Sequence, residues 1–375
     1  MWRQEFISLL GAAAGPVVAG DASHPPAGWL CRERLALPIH AVGWLAGLVI
    51  LALLSAAGDC RAQDTTSFTG KTIKIVVGMP PGGGVDAYAR LVRHHLERYL
   101  TGSPLVMVQN LPGAGSMRSV MSLAAAPDDG TTIVTFSSSL LTESILFPER
   151  VKIDFRTFSF LGNVGEDGRI CFVRPALGVR DIAGLKARGR LVFGATAAGT
   201  SGNIDAAMLR NLFGLDVQIV NGYAGSAAKR LAFERGEIDG DCGGVTSLPP
   251  DWLPAGKIAV IMRLSPELSP GLDPAVPFGG ALLHSDTDRR VYDFLVTPQR
   301  LGRLFITSGK TPPARVAALR DAFDRTMTDP LFLADAGKMN LSVVPTSGGE
   351  VERNIATLYA TPRNILARAR TVVGD

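Results

Sequence analysis

After about residue 70, apolar and polar positions alternate between short β-type runs and helical spacings. Thr72 to Val77 reads as a strand. Val85, Ala89, Val92, Leu96 and Leu100 then fall on one face of a helix over Asp86 to Leu100. Strands are predicted over Leu105 to Gln109 and Thr131 to Phe136, around a helix over Ser116 to Ala125. Leu191 to Ala195, Val217 to Asn221 and Ile258 to Met262 read as further strands, with helices over Ile204 to Leu212 and Ala227 to Arg235. Pro266 to Pro277, with four prolines, reads as a connecting loop. Pro313 to Thr328 reads as a helix that buries Val316, Leu319, Phe323 and Met327. Such alternation predicts an α/β fold of mainly parallel sheets with helices on both faces.

The first stretch of chain follows another pattern. From Leu35 to Gly58 there is no Lys, Arg, Asp or Glu, Arg32 and Arg34 precede the run, and Cys60-Arg61-Ala62 closes it. This predicts an export signal over 1–62, with mature protein from about Gln63. A single-span anchor is the alternative, because the run approaches spanning length. A lipid attachment at Cys60 meets Asp59 where a small residue is wanted. Loss of the signal leaves Cys171 and Cys242, either as the disulfide an exported protein permits or as two buried thiols. There is no Cys-x-x-Cys and no paired histidine spacing, so no metal site and no cofactor is predicted.

The length of 375 residues allows two lobes with real cores. The formal charge of +4 is modest and the basic residues are scattered, which argues against nucleic acid as a partner. Forty-two glycines point to loops as the working surfaces.

The most telling loop is Met79-Pro80-Pro81-Gly82-Gly83-Gly84-Val85-Asp86, between the first strand and the first helix. The first N–H groups of that helix have no intrahelical acceptor, and glycine lets an anion approach them. A tight strand-to-helix turn explains the same glycines. However, glycine turns recur at Pro112 to Ser116 and at Ala197 to Asn203, where Thr200, Ser201 and Asn203 add neutral donors. Tyr223-Ala224-Gly225-Ser226 opens a fourth helix, with Tyr223 either a ligand contact or a half-buried aromatic. Asp86 either orients a ligand or water, or simply complements its helix's first turn.

Three enzyme motifs fail by one residue. The third glycine of a dinucleotide fingerprint from Gly113 falls on Arg118, the lysine of a P-loop from Gly78 falls on Gly84, and Gly199-Thr200-Ser201-Gly202-Asn203 is not a nucleophile elbow. His94 and His95 read as part of a solvated helix face. Donor-rich helix starts without a paired acid and base predict holding an anion rather than transforming it.

In this order, Pro80 to Arg90, Asn110-x-Pro112-Gly113-Ala114-Gly115, Pro127-Asp128-Asp129-Gly130-Thr131 and Tyr223-x-Gly225-Ser226 resemble the Bug-type extracytoplasmic receptors of tripartite tricarboxylate transporters. The resemblance covers roughly Thr72 to the C-terminus. It implies a two-lobed, type II periplasmic-binding-protein fold that closes on a small carboxylate, held by main-chain N–H groups and water. It implies membrane transporter subunits as partners, a monomer, a periplasmic location and no enzymatic activity. Carried over, Pro81, Gly82, Gly83 and Asp86 line one wall, and Thr200, Ser201, Gly202, Tyr223 and Ser226 the other. The chain departs from the pattern at Met79, Ser116, Ala224 and Gly243, and over Thr287 to Arg303, as a divergent branch does.

The lobes are expected to interleave, with 71–162 and 278–375 forming the first and 163–277 the second. The pocket is expected to contain no committed Lys or Arg, with Arg90 pairing to Asp86 one turn away. Gly83→Val is expected to weaken ligand binding far more than folding, because a β-branched side chain blocks anion approach and resists any positive φ there. The rival readings are a secreted enzyme using Asp86, His94 or Cys242, and a sensory protein that reuses the fold.

Overall fold

The computed structural model describes residues 66–165, 168–179 and 181–374; the predicted export segment lies outside them, with Cys31 and Cys60. The first run of elements is β1 (Thr72–Val77), α1 (Gly84–Leu96), β2 (Leu105–Asn110), α2 (Met117–Met121), β3 (Thr132–Thr135), α3 (Ser139–Leu146) and β4 (Phe158–Asn163). There follow β5 (Arg169–Val173), α4 (Ile182–Arg188), β6 (Leu191–Gly194), α5 (Ser201–Asn211), β7 (Val217–Val220), α6 (Ser226–Glu234), β8 (Gly240–Gly244) and β9 (Ala259–Arg263). The last run is α7 (Asp286–Arg300), β10 (Leu304–Ser308), α8 (Pro313–Thr328), α9 (Pro330–Lys338), β11 (Thr346–Ser347), α10 (Gly348–Tyr359) and α11 (Arg363–Val373). Among the described residues no helix is long and apolar enough to cross a membrane.

The strands form two sheets, one in the order β11-β4-β10-β3-β1-β2 and the other in the order β7-β6-β8-β5-β9. In the first, β1, β2, β3 and β4 share a direction that β10 and β11 oppose. In the second, β5 alone opposes the other four. Strands reached through helical crossovers run parallel. Of the opposed ones, β5 and β10 are those the chain enters on passing from one sheet to the other. All strands up to residue 163 and from 304 onward lie in the first sheet, and those from 169 to 263 in the second. Two of the crossing segments are bonded together: Val164 N–H donates to Arg303 C=O (3.2 Å) and Arg303 N–H to Gly165 C=O (3.3 Å).

Packing follows the alternation along the strands. Ile73, Ile75 and Val77 of β1 are fully buried against Tyr88 and Val92 of α1 and Phe323 of α8. Each such side chain contributes about 1.5–3 kcal/mol by leaving water. Val76, on the other face of β1, joins a larger core with Phe136, Phe193, Met208, Leu295 and Val372. Helix α11 packs on α7, α5 and α3. Cys171 and Cys242 face each other across β5 and β8, 4.1 Å apart at Cα, and form a disulfide. The thiol alternative is thereby excluded.

Candidate functional site

The loop after β1 is held by one carboxylate. Asp86 Oδ2 accepts the Gly82 N–H (3.0 Å) and Arg90 Nε (2.9 Å), and Oδ1 accepts Asn110 Nδ2 (2.8 Å). Asn110 Nδ2 also donates to Met79 C=O (3.0 Å). The positive φ in this turn belongs to Gly82 (+80°), while Gly83 is extended at −94°. Burial by itself raises the pKa of Asp86. The hydrogen bonds from Arg90, Gly82 and Asn110, with the Arg90 charge, outweigh burial and hold the carboxyl below the usual range.

A group whose folded pKa is depressed stabilises fully above its unfolded pKa, and that contribution is lost as the pH falls through the folded value. Asp86→Asn is therefore expected to be less stable than wild type near pH 7, with the gap closing below about pH 4. Urea melts near pH 7 and near pH 3 check this. An equal gap at both would show that the charge is not what holds the loop.

Beside this loop lies a cavity of about 350 Å³ onto which three helix N-termini open. Gly83 and Gly84 bring α1 to it from the first sheet; Thr200 to Gly202 and Gly225 to Ala227 bring α5 and α6 from the second. The N-cap residues are Gly83, Thr200 and Gly225, and no side chain caps any of the three helices. The Thr200 hydroxyl instead donates to Ala197 C=O (2.7 Å). First-turn N–H groups and helix dipoles thus point at one space from both sheets, the arrangement that binds an anion.

Of the residues singled out in the sequence, Pro81, Gly82, Gly83, Thr200, Ser201, Gly202 and Ser226 line the cavity. Asp86 and Tyr223 do not. Asp86 is buried behind the loop, and Tyr223 is half-buried, packing against the core of Phe172, Phe233 and Trp252. The turn at Pro112 to Ser116 also lies off the cavity. Ser116 Oγ donates to Gly78 C=O (3.1 Å) and accepts the Ser137 N–H (3.0 Å), tying together the ends of β1 and β3. His94 is exposed as read, but His95 is buried, with Nε2 3.1 Å from Asp335 and Nδ1 against Arg98.

The cavity also contains cations that the sequence reading missed: Arg169, Lys229 and Arg303. Arg169 comes from β5, a strand too short and apolar to announce a charged first residue. Arg303 lies in the crossing before β10, and a Cβ on Gly84 would stand 2.7 Å from its Nη2. Lys229 was legible, since it sits three residues after Ser226 on the same helix. Its Nζ is 2.5 Å from Asp241 Oδ1. Burial pushes the Asp241 carboxyl up from its ordinary value, against the pull of Lys229. The expected Arg90–Asp86 pair is present.

No family model matches the chain. It is 30% identical over 202 residues to a UPF0065 protein of Pseudomonas sp. (strain P51), covering 52% of this chain and 59% of that protein. The chain thus spans less than two thirds of that relative's length. It is 27% identical over 241 residues to protein BugT of Bordetella pertussis, covering 61% of this chain and 71% of BugT. The fold superposes on the periplasmic binding protein BugD with a TM-score of 0.66 at 17% identity, over 81% of this chain and 98% of BugD. These likenesses make the chain similar to the Bug-type proteins. The fold also matches MatC from Rhodopseudomonas palustris with bound malate, at a TM-score of 0.62 and 18% identity, over 80% of this chain and 98% of MatC. The two sheets are accordingly the centres of two lobes, and the cavity is lined from both.

Proposed function

We propose that this protein is a Bug-type receptor that captures a small carboxylate between its lobes and delivers it, chemically unchanged, to membrane subunits of a tripartite tricarboxylate-type transporter. It acts in the periplasm as a monomer. One lobe is built from 71–162 and 278–375 and the other from 163–277. The observation that carries this reading is the convergence of three uncapped helix N-termini, drawn from both sheets, on one cavity. Main-chain donors preorganised in this way suit an acid group and offer no nucleophile. The malate bound to MatC supports the ligand class.

Gly83→Val tests the site. A Cβ at Gly83 would meet only Pro80 O at 4.0 Å, and its φ of −94° suits valine, so the variant is expected to fold. Its side chain intrudes on the anion's approach to α1. Loss of one charge-assisted hydrogen bond, about 1.5–3 kcal/mol, lowers affinity about ten- to hundredfold. Calorimetry with malate, adipate, citrate, aspartate and nicotinate, on wild type and variant, measures it. Unchanged affinity in the folded variant would move the ligand away from α1, and turnover of any of these acids would replace the proposal with an enzyme.

A further inference from the structure

The wall of the cavity formed by the second sheet is more than neutral main chain. Lys229 is only 7% exposed at its side chain, and its Nζ stands 3.3 Å from the point a Cβ on Gly202 would occupy. The ammonium thus lies at the N-terminus of α5 while belonging to α6. Asp241, on β8, holds it at 2.5 Å and does not itself line the cavity. Arg169 repeats the plan from β5. Arg169 lines the cavity, and its guanidinium donates through Nε (3.0 Å) and Nη2 to Asp205, a carboxylate with no solvent exposure. Gln299 Nε2 also donates to Asp205 (2.8 Å). In both pairs the cation lines the cavity and its carboxylate is set back from it.

Building on the carboxylate-binding function proposed above, we infer that Lys229 and Arg169 form a side-chain anion subsite, and that Asp241 and Asp205 are positioning residues for them. An ammonium has three donors and a guanidinium five, so each cation keeps N–H groups for a second acceptor after its buried acid is satisfied. Holding each head in place removes the rotamer entropy a free lysine or arginine would lose on binding. Each pair is also neutral overall. The subsite therefore acts by short-range, charge-assisted hydrogen bonds and adds little long-range attraction, so affinity depends only weakly on salt.

The test compares wild type with two variants, using malate as probe and calorimetry at low and moderate ionic strength. The double variant Lys229→Met with Asp241→Asn removes both charges together and strands neither, so it is expected to keep its thermal midpoint within a few degrees of wild type. Its affinity for malate is expected to fall about tenfold or more. Asp241→Asn alone leaves Lys229 as an uncompensated cation at the cavity. It is expected to bind malate more tightly than wild type and with a steeper salt dependence. A purely structural pair would move neither quantity. Unchanged affinity and salt dependence in both variants overturn the inference alone. Failure of wild type to bind malate or any of the other acids above overturns the proposed function, and the inference with it.

Discussion

Asp205→Ala is expected to lower the unfolding free energy by about 3–5 kcal/mol, the range for breaking a buried ion pair by removing one partner. Asp205 lies on α5 with no solvent exposure and accepts from Arg169 on β5 and Gln299 on α7. It therefore joins the second sheet, the helix above it and the helix that leads back to the first sheet. Removing it leaves Arg169, 13% exposed at its side chain, without its buried counter-charge. Asp205→Asn keeps one acceptor for the same neighbours and should lose clearly less. Denaturant titrations of the three proteins give the comparison. A loss below about 1 kcal/mol for the alanine variant would mean that the pair is screened like a surface salt bridge.

Loss of the disulfide is the second large effect, expected at about 2–4 kcal/mol. The bond joins residues 71 apart in sequence, so reduction returns a long loop's worth of freedom to the unfolded chain. It also crosses β5 and β8, the strands that carry Arg169 and Asp241, and both sulfur-bearing residues are buried. Cys171→Ala with Cys242→Ala is preferable to serine, which would bury two hydroxyls. The thermal midpoint of this variant, set against wild type with and without reductant, measures the loss. A midpoint unchanged in both comparisons would show that the pairing of β5 with β8 and β9 suffices without the covalent link.

The regular parts of the molecule were readable from residue spacing. β1 and α8 occupy the predicted ranges, and β2, β3, β6, β7 and β9 lie within a residue or two of theirs, because each alternates or runs apolar between glycine and proline turns. β8 was not readable. Gly240-Asp241-Cys242-Gly243-Gly244 has poor strand propensity, and it is a strand because it pairs with β6 on one side and β5 on the other. Helix α7 hides its pattern behind an acidic and basic start and an internal Pro298. The glycine loops of the site were legible because backbone anion binding leaves a mark in composition. The two cavity arginines were not, since an arginine facing a cavity and one facing water look alike until the strand beneath is placed. Asp86 shows the converse: a residue picked out by its motif acts on the loop from behind.

The place of β10 in the first sheet bears on how the molecule is made. This strand lies between β3 and β4, yet it is encoded long after both. A ribosome therefore delivers two strands that belong on either side of a third not yet synthesised. Until Leu304 to Ser308 emerge, both carry open edges able to pair with each other or with neighbouring chains. A nascent chain halted before Leu304 cannot complete this sheet, and pairing across so many intervening residues is slow even in the full-length chain. The first lobe to be started is thus the last to be finished, and it is finished from the far end of the message.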